Sequence, residues 1–130
     1  MRPGENRDGA AFPAYEVRLS ETAEAEIDDA VLYLARFSAR AAERWHAGLL
    51  EAVQSLSYLP RRCPLAPENS LFDREVRQLI YRRGRTAYRL LYAIFEATND
   101  EPAFVQIMRV RHGAQRRLND PPDADDSNAE

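Results

Sequence analysis

Lysine is missing from this chain, and all 18 of its basic residues are arginine. That absence removes one common proton acceptor. Arginine stays charged and accepts protons poorly, but its flat fork of donors suits phosphate and carboxylate. Cysteine occurs once, at Cys63. A lone cysteine forms no internal disulfide, which fits a reducing compartment and a cytoplasmic location. Cys63 stands between Arg62 and Pro64 in an expected loop, with no patterned partner to make it a nucleophile. No run of roughly 18 apolar residues is present, so no membrane-spanning helix is expected. The first residues, MRPGENRDGAAFPA, lack the apolar stretch of a signal peptide. Histidine is scarce, at His46 and His112 only. Glu24, Asp28 and Asp29 have no histidine at paired spacing and fall in the first turns of an expected helix, where the dipole favours acids. No metal and no cofactor are expected.

The charge that is present is segregated. The net charge is −3. Yet residues 1–60 balance at −4, residues 61–117 hold 12 arginines against 6 acids, and residues 118–130 hold 5 acids and no arginine. Charge runs are usually solvated surface. Here the arginines fall on short β-like runs and turns rather than on one helix stripe, so a basic face for a polyanion or an acidic partner is the stronger reading.

At 130 residues the chain is one domain. Residues 1–13 are rich in Gly, Pro and charge and read as a flexible arm; residues 119–130 read as a disordered acidic tail. The folded domain is expected over 14–118. Tyr15–Ser20 alternates as a short strand. Ser20 is placed to cap a helix whose apolar residues are Ala23, Ile27, Ala30, Val31, Leu34 and Phe37. Ser38 is placed to cap a second helix with Ala42, Trp45, Leu49, Val53, Leu56 and Leu59 on its stripe, stopped by Pro60. So short a connection folds the helices back on each other. After an irregular, Pro-containing connector, strands are expected at Glu75–Arg82, Thr86–Ala97 and Ala103–His112. The turns between them use Gly84 and Thr98-Asn99-Asp100. Tyr88, Leu90, Tyr92 and Ile94 share one face of the middle strand, and Arg89, Leu91, Ala93 and Phe95 share the other. Both faces are largely apolar, so one is expected on the helices and the other only partly wet. The fold class is α+β: a two-helix antiparallel hairpin packed on a four-stranded, mostly antiparallel sheet, in the order β-α-α-β-β-β.

Several pieces in this order resemble the RelE/ParE toxin superfamily of type II toxin–antitoxin systems. They are Ala23–Ile27 opening the first helix, Ala41-Ala42-Glu43-Arg44-Trp45 in the second, and Leu59-Pro60 at its end. Val76-Arg77-Gln78-Leu79, Tyr88-Arg89-Leu90-Leu91-Tyr92 and Val110-Arg111-His112-Gly113 complete the set. The resemblance covers roughly Tyr15 to Leu118. It implies a toxin neutralised by a cognate antitoxin. It leaves two chemistries open, ParE-like inhibition of DNA gyrase and RelE-like ribosome-dependent cleavage of mRNA; a non-toxic, antitoxin-binding remnant is a third reading.

The residues favour the ParE-like branch. Arg89 stands where the RelE-like motif places a phosphate-binding arginine, but ParE-like members carry the motif too. RNA cleavage by 2′-hydroxyl attack needs a base and an acid. RelE-like nucleases supply these from lysine, or from His, Glu or Tyr near the end of the domain. Here no lysine exists and no tyrosine follows Tyr92. His112 remains, able to act as acid or base near neutrality. The catalytic pair, if there is one, is therefore His112 and Arg89. The expected target-binding group is Arg82, Arg89, Arg109 and Arg111, converging with His112 at one edge of the sheet, and Tyr81 as a stacking platform. Trp45, Tyr88 and Tyr92 are expected in the core.

Overall fold

The computed structural model describes residues 15–84 and 86–113. The expected arm, the acidic tail and Arg85 lie outside them. Strand β1 is Glu16–Leu19, helix α1 Glu21–Ala35, helix α2 Ala39–Ser55, and strands β2, β3 and β4 are Arg77–Arg83, Thr86–Phe95 and Phe104–His112. The sheet order is β1-β4-β3-β2. β1 runs parallel to β4, and the other two pairings are antiparallel.

Both helices start where a serine can cap them. The Ser20 hydroxyl oxygen accepts from the Ala23 N–H at 3.0 Å and donates to the Met108 carbonyl at 3.0 Å, so one side chain starts α1 and ties it to β4. Ser38 accepts from the Ala41 N–H at 3.1 Å, with only Arg36 and Phe37 between it and the end of α1. The hairpin lays its apolar stripe on one face of the sheet. Ala23, Ile27, Trp45, Leu49, Val53 and Leu56 pack there against Leu90, Tyr92, Val105, Ile107 and Val110. The Tyr92 hydroxyl, fully buried, donates to the Pro60 carbonyl at 2.6 Å.

The opposite face is covered in part by the connector. Residues 60–76 form two short 3-10 turns, Pro60–Arg62 and Pro67–Leu71, and fold back over the sheet. Ala66, Val76 and Leu91 make a second small core with Phe72 and Met108. The connector is pinned at the edge of β2: the Ala66 N–H donates to the Val76 carbonyl, the Gln78 N–H to the Pro64 carbonyl, and the Val76 N–H to Asn69 Oδ1 at 2.7 Å. Glu75 and Val76 were expected in the strand; with Val76 bonded to the connector on both sides, regular β2 begins at Arg77. Among the described residues no helix is long and apolar enough to cross a membrane.

Candidate functional site

β3 sorts the arginines. It is central, so its even residues face the helices and its odd residues face the other way, here called the outer face. Arg89 lies opposite Arg111 on β4 and Ile80 on β2; Ala87 lies opposite Arg82, and Leu91 opposite Arg109. Directly opposed residues share a face. Arg82, Arg89, Arg109 and Arg111 therefore all belong to the outer face, as one group across three strands.

Two of the four are held by acids from distant parts of the chain. Arg89, only 9% exposed, donates to both carboxylate oxygens of Glu68 at 3.1 and 2.6 Å, and to Gln78 Oε1 at 3.0 Å. Glu68 lies on the second 3-10 turn of the connector and is 1% exposed. Arg109 donates through Nε and Nη2 to Glu26 Oε2 at 3.0 and 2.7 Å, while Glu26 Oε1 accepts the Val110 N–H at 2.7 Å. Glu26 reaches that strand edge because β1 ends at Leu19 and α1 continues beside β4.

Arg111 sits between these pairs, half-buried. Burial pushes its guanidinium below the ordinary value, with Arg109 and Arg89 adding to the effect and Glu26 and Glu68 opposing it. Arginine stays charged nonetheless. Arg89, Arg109 and Arg111 thus share this place with Glu68 and Glu26, and it is partly desolvated, so charge-assisted contacts there are strong. Arg82 is exposed at the turn end of β2.

The rest of the predicted group is not there. Tyr81 lies on the helix face at 9% exposure; its hydroxyl donates to the Trp45 carbonyl at 2.9 Å and its ring meets the Trp45 ring edge-on. Burial raises its pKa above the ordinary tyrosine value. It is a core residue rather than a stacking platform, and α2 makes room for it with Gly48, where a Cβ would stand 2.3 Å from its hydroxyl oxygen. His112 also turns to the helix side, edge-on to Tyr88 at 5.0 Å between ring centroids. Convergence of His112 with the arginines is thus corrected by the strand register: neighbours along a strand point to opposite faces.

Sequence reasoning missed Glu68 and Glu26. It also missed a stack at the far end of the outer face: Arg74 over Phe95 at 4.4 Å, Phe95 stacked on Phe104 at 4.7 Å, and Arg18 over Phe104 at 3.8 Å. Alternation had placed Phe95 on that face, but its partner required the β3–β4 register. The whole face offers flat cations held by rings and acids, an arrangement suited to holding an anionic surface.

Comparison with known proteins places this geometry. The profile of the family described as "ParE toxin of type II toxin-antitoxin system, parDE" matches residues 17–117. A solved chain of the chromosomal ParDE TA system from P. aeruginosa shares the fold, with a TM-score of 0.56 at 17% identity, covering 78% of this chain and 98% of that one. Comparison with curated proteins gives no significant match. The profile spans most of the chain, including both helices and every strand of the basic face; the chain belongs to the ParE toxin family and is the toxin component of a type II toxin–antitoxin system.

Proposed function

We propose that this toxin acts by binding rather than by cutting: its outer-face arginines, Arg82 and Arg111 foremost, hold DNA gyrase and arrest it. The observation that carries this reading is one stretch of register, Arg89↔Arg111 beside Tyr88↔His112. A nuclease built from Arg89 and His112 needs both at one scissile phosphate, within hydrogen-bond reach of the transferred proton and the developing charge. Here they stand on opposite faces of the sheet. The two glutamates of the outer face are engaged with Arg89 and Arg109, so neither is placed as a ready base. A type II toxin has a cognate antitoxin as its partner. On this reading an acidic segment of that antitoxin covers the same face and compensates its positive charge, which blocks the target.

The test is a pair of assays on purified toxin. It should inhibit gyrase supercoiling and leave mRNA intact in a translation mixture analysed by primer extension. Arg111→Ala and Arg82→Ala should weaken inhibition in steps, and His112→Ala should leave it unchanged. Cleaved mRNA, with a loss of about 10²–10⁴ in rate for His112→Ala, would replace binding with RelE-like catalysis.

A further inference from the structure

Helix α1 turns one side to the core and the other to solvent. The core side is Ala23, Ile27, Ala30 and Leu34. At about 100° per residue, Leu32 points directly away from that side. It is 68% exposed. We infer that the exposed side of α1 docks on the same surface of a second copy of this chain, with the two helices antiparallel and Leu32 beside the two-fold axis.

A lone exposed leucine is ordinary on a protein surface. The neighbours of this one single it out. Asp29 and Arg36 are seven positions apart, close to two helical turns, so they lie on one line of the helix, on the same flank of Leu32. Asp29 is about 4.5 Å from Leu32 toward the N-terminus, and Arg36 about 6 Å toward the C-terminus. A two-fold axis across the helix beside Leu32 therefore brings Arg36 of each copy to Asp29 of the other. One contact then yields two opposite-charge pairs, as an isologous interface requires. A parallel arrangement would set like charges at one level, so charge selects the antiparallel one. Arg36 keeps helical backbone angles at the C-cap, φ −62° and ψ −24°, so the helical spacing extends to it. Its guanidinium lies 5.6 Å from the centre of the Tyr33 ring, which steadies it. Among the described residues neither Asp29 nor Arg36 is engaged in an ion pair. The ends of the helix fit as well. Ala25 is exposed on the same side, two turns before Leu32. In the antiparallel register it meets the hairpin tip of the other copy, where Phe37 is 69% exposed. A small side chain there leaves room for a ring.

α1 has 15 residues and is about 22 Å long. Two such helices bury on the order of 1,000 Å² in all, the lower limit for a specific interface, which gives a weak dimer with a dissociation constant on the order of 10–100 µM. The helix hairpin covers one side of the sheet, and the outer face is the other. Docking through α1 therefore leaves both outer faces uncovered and turned away from each other. A target with two sites is then held at both, and avidity exceeds the affinity of either without any new contact. The pairing itself does not depend on what the target is.

Sedimentation equilibrium of the purified full chain at low salt, from about 5 to 500 µM, reads the dissociation constant. Leu32→Glu should raise it at least about tenfold, since it removes an apolar contact from both copies and sets two carboxylates together at the axis. Asp29→Arg and Arg36→Asp should each weaken the dimer, because each variant meets itself with like charges. Mixed one to one, these two variants should recover a dimer within about threefold of the parent, as one copy then offers two cations and the other two carboxylates. Recovery also shows that both variants fold. Arg82→Asp, on the outer face, should not substitute for Arg36→Asp in the mixture. Salt should weaken the parent dimer, because its charge pairs are at the surface. A chain that stays monomeric to the top of this range overturns the proposal and leaves the surface to another occupant, the cognate antitoxin first. A dimer that ignores Leu32→Glu overturns it too, as does a mixture that recovers nothing, since either places the contact elsewhere. Equal recovery with Arg82→Asp also overturns it, because that pattern is general charge attraction without a docking surface.

Discussion

Replacing Glu68 by alanine probes how the basic face is built. The change leaves the Arg89 guanidinium, 9% exposed, with Gln78 Oε1 at 3.0 Å in place of a carboxylate bonded at 3.1 and 2.6 Å. Removing one partner of a buried ion pair typically costs 3–5 kcal/mol, because the remaining charge stays desolvated. In a domain of this size each kcal/mol moves Tm by roughly 4–8 °C, so the expected fall is at least about 12 °C. Glu68→Gln, which keeps one acceptor, should cost less. Glu68→Leu with Arg89→Met should recover most of the loss, since an apolar pair of similar volume is often neutral or stabilising relative to a buried ion pair. Equilibrium urea denaturation reads all of these through Trp45, the only tryptophan, a residue 3% exposed whose ring lies 4.8 Å from that of Tyr88. A double-mutant cycle isolates the pair. A loss below about 1 kcal/mol for Glu68→Ala would refute the reasoning, because that is the range of a solvated surface pair and would mean that the connector lifts and admits water. The double variant also separates roles: if Arg89 is there to hold the connector, target binding survives in it, whereas Arg111→Ala loses binding.

Gly48→Ala should destabilise by about 1–3 kcal/mol in the same denaturation assay, as the new Cβ meets the Tyr81 hydroxyl 2.3 Å away at the end of a stiff ring; Tyr81→Phe should relieve part of it, and additive losses would contradict the clash. Ser20→Ala should cost about 1 kcal/mol for the lost cap, with more if the bond to the Met108 carbonyl also matters; an unchanged midpoint would remove the cap from the account. Burial, reinforced by the Cys63 thiol, holds the Tyr92 phenol well above the ordinary 10.0. The unfolded phenol ionises first, so stability present below pH 10 is lost as pH rises toward the folded value; Tyr92→Phe should flatten that slope in alkaline denaturation curves, and an unaltered slope would assign it elsewhere.

The fold was largely legible because its signals are local. Each serine cap precedes an apolar stripe within a few residues, and strict alternation in β3 put Tyr88, Leu90 and Tyr92 on one face, which the structure shows to be the one on the helices. What was not legible came from pairings between distant residues. Glu68 and Arg89 are 21 positions apart, and Glu26 and Arg109 are 83 apart. Neither acid has a pattern around it that names its partner. Glu68 looks like an ordinary acid in a Pro-flanked loop until the connector folds over the sheet. The errors at Tyr81 and His112 are different in kind. Alternation along β2 and β4 already separated Tyr81 from Arg82 and His112 from Arg111. Grouping them by proximity in sequence set that period aside.

The absence of lysine and the geometry of the face have one physical reading. Arg89 binds two oxygens of one carboxylate, Arg109 uses Nε and Nη2 on one oxygen, and Arg18 and Arg74 lie flat on rings. A lysine ammonium does none of these as well: it is a compact, strongly hydrated point charge without a plane to stack. Half-buried beside other cations, as Arg111 is, it would be pressed toward its neutral amine. Arginine resists that loss and keeps the face cationic while it is partly desolvated. The property has a consequence for chemistry. A group that never gives up its proton holds an anion firmly and takes no proton from a ribose hydroxyl, so the proposed reading, binding rather than cutting, asks of these arginines what their chemistry does well.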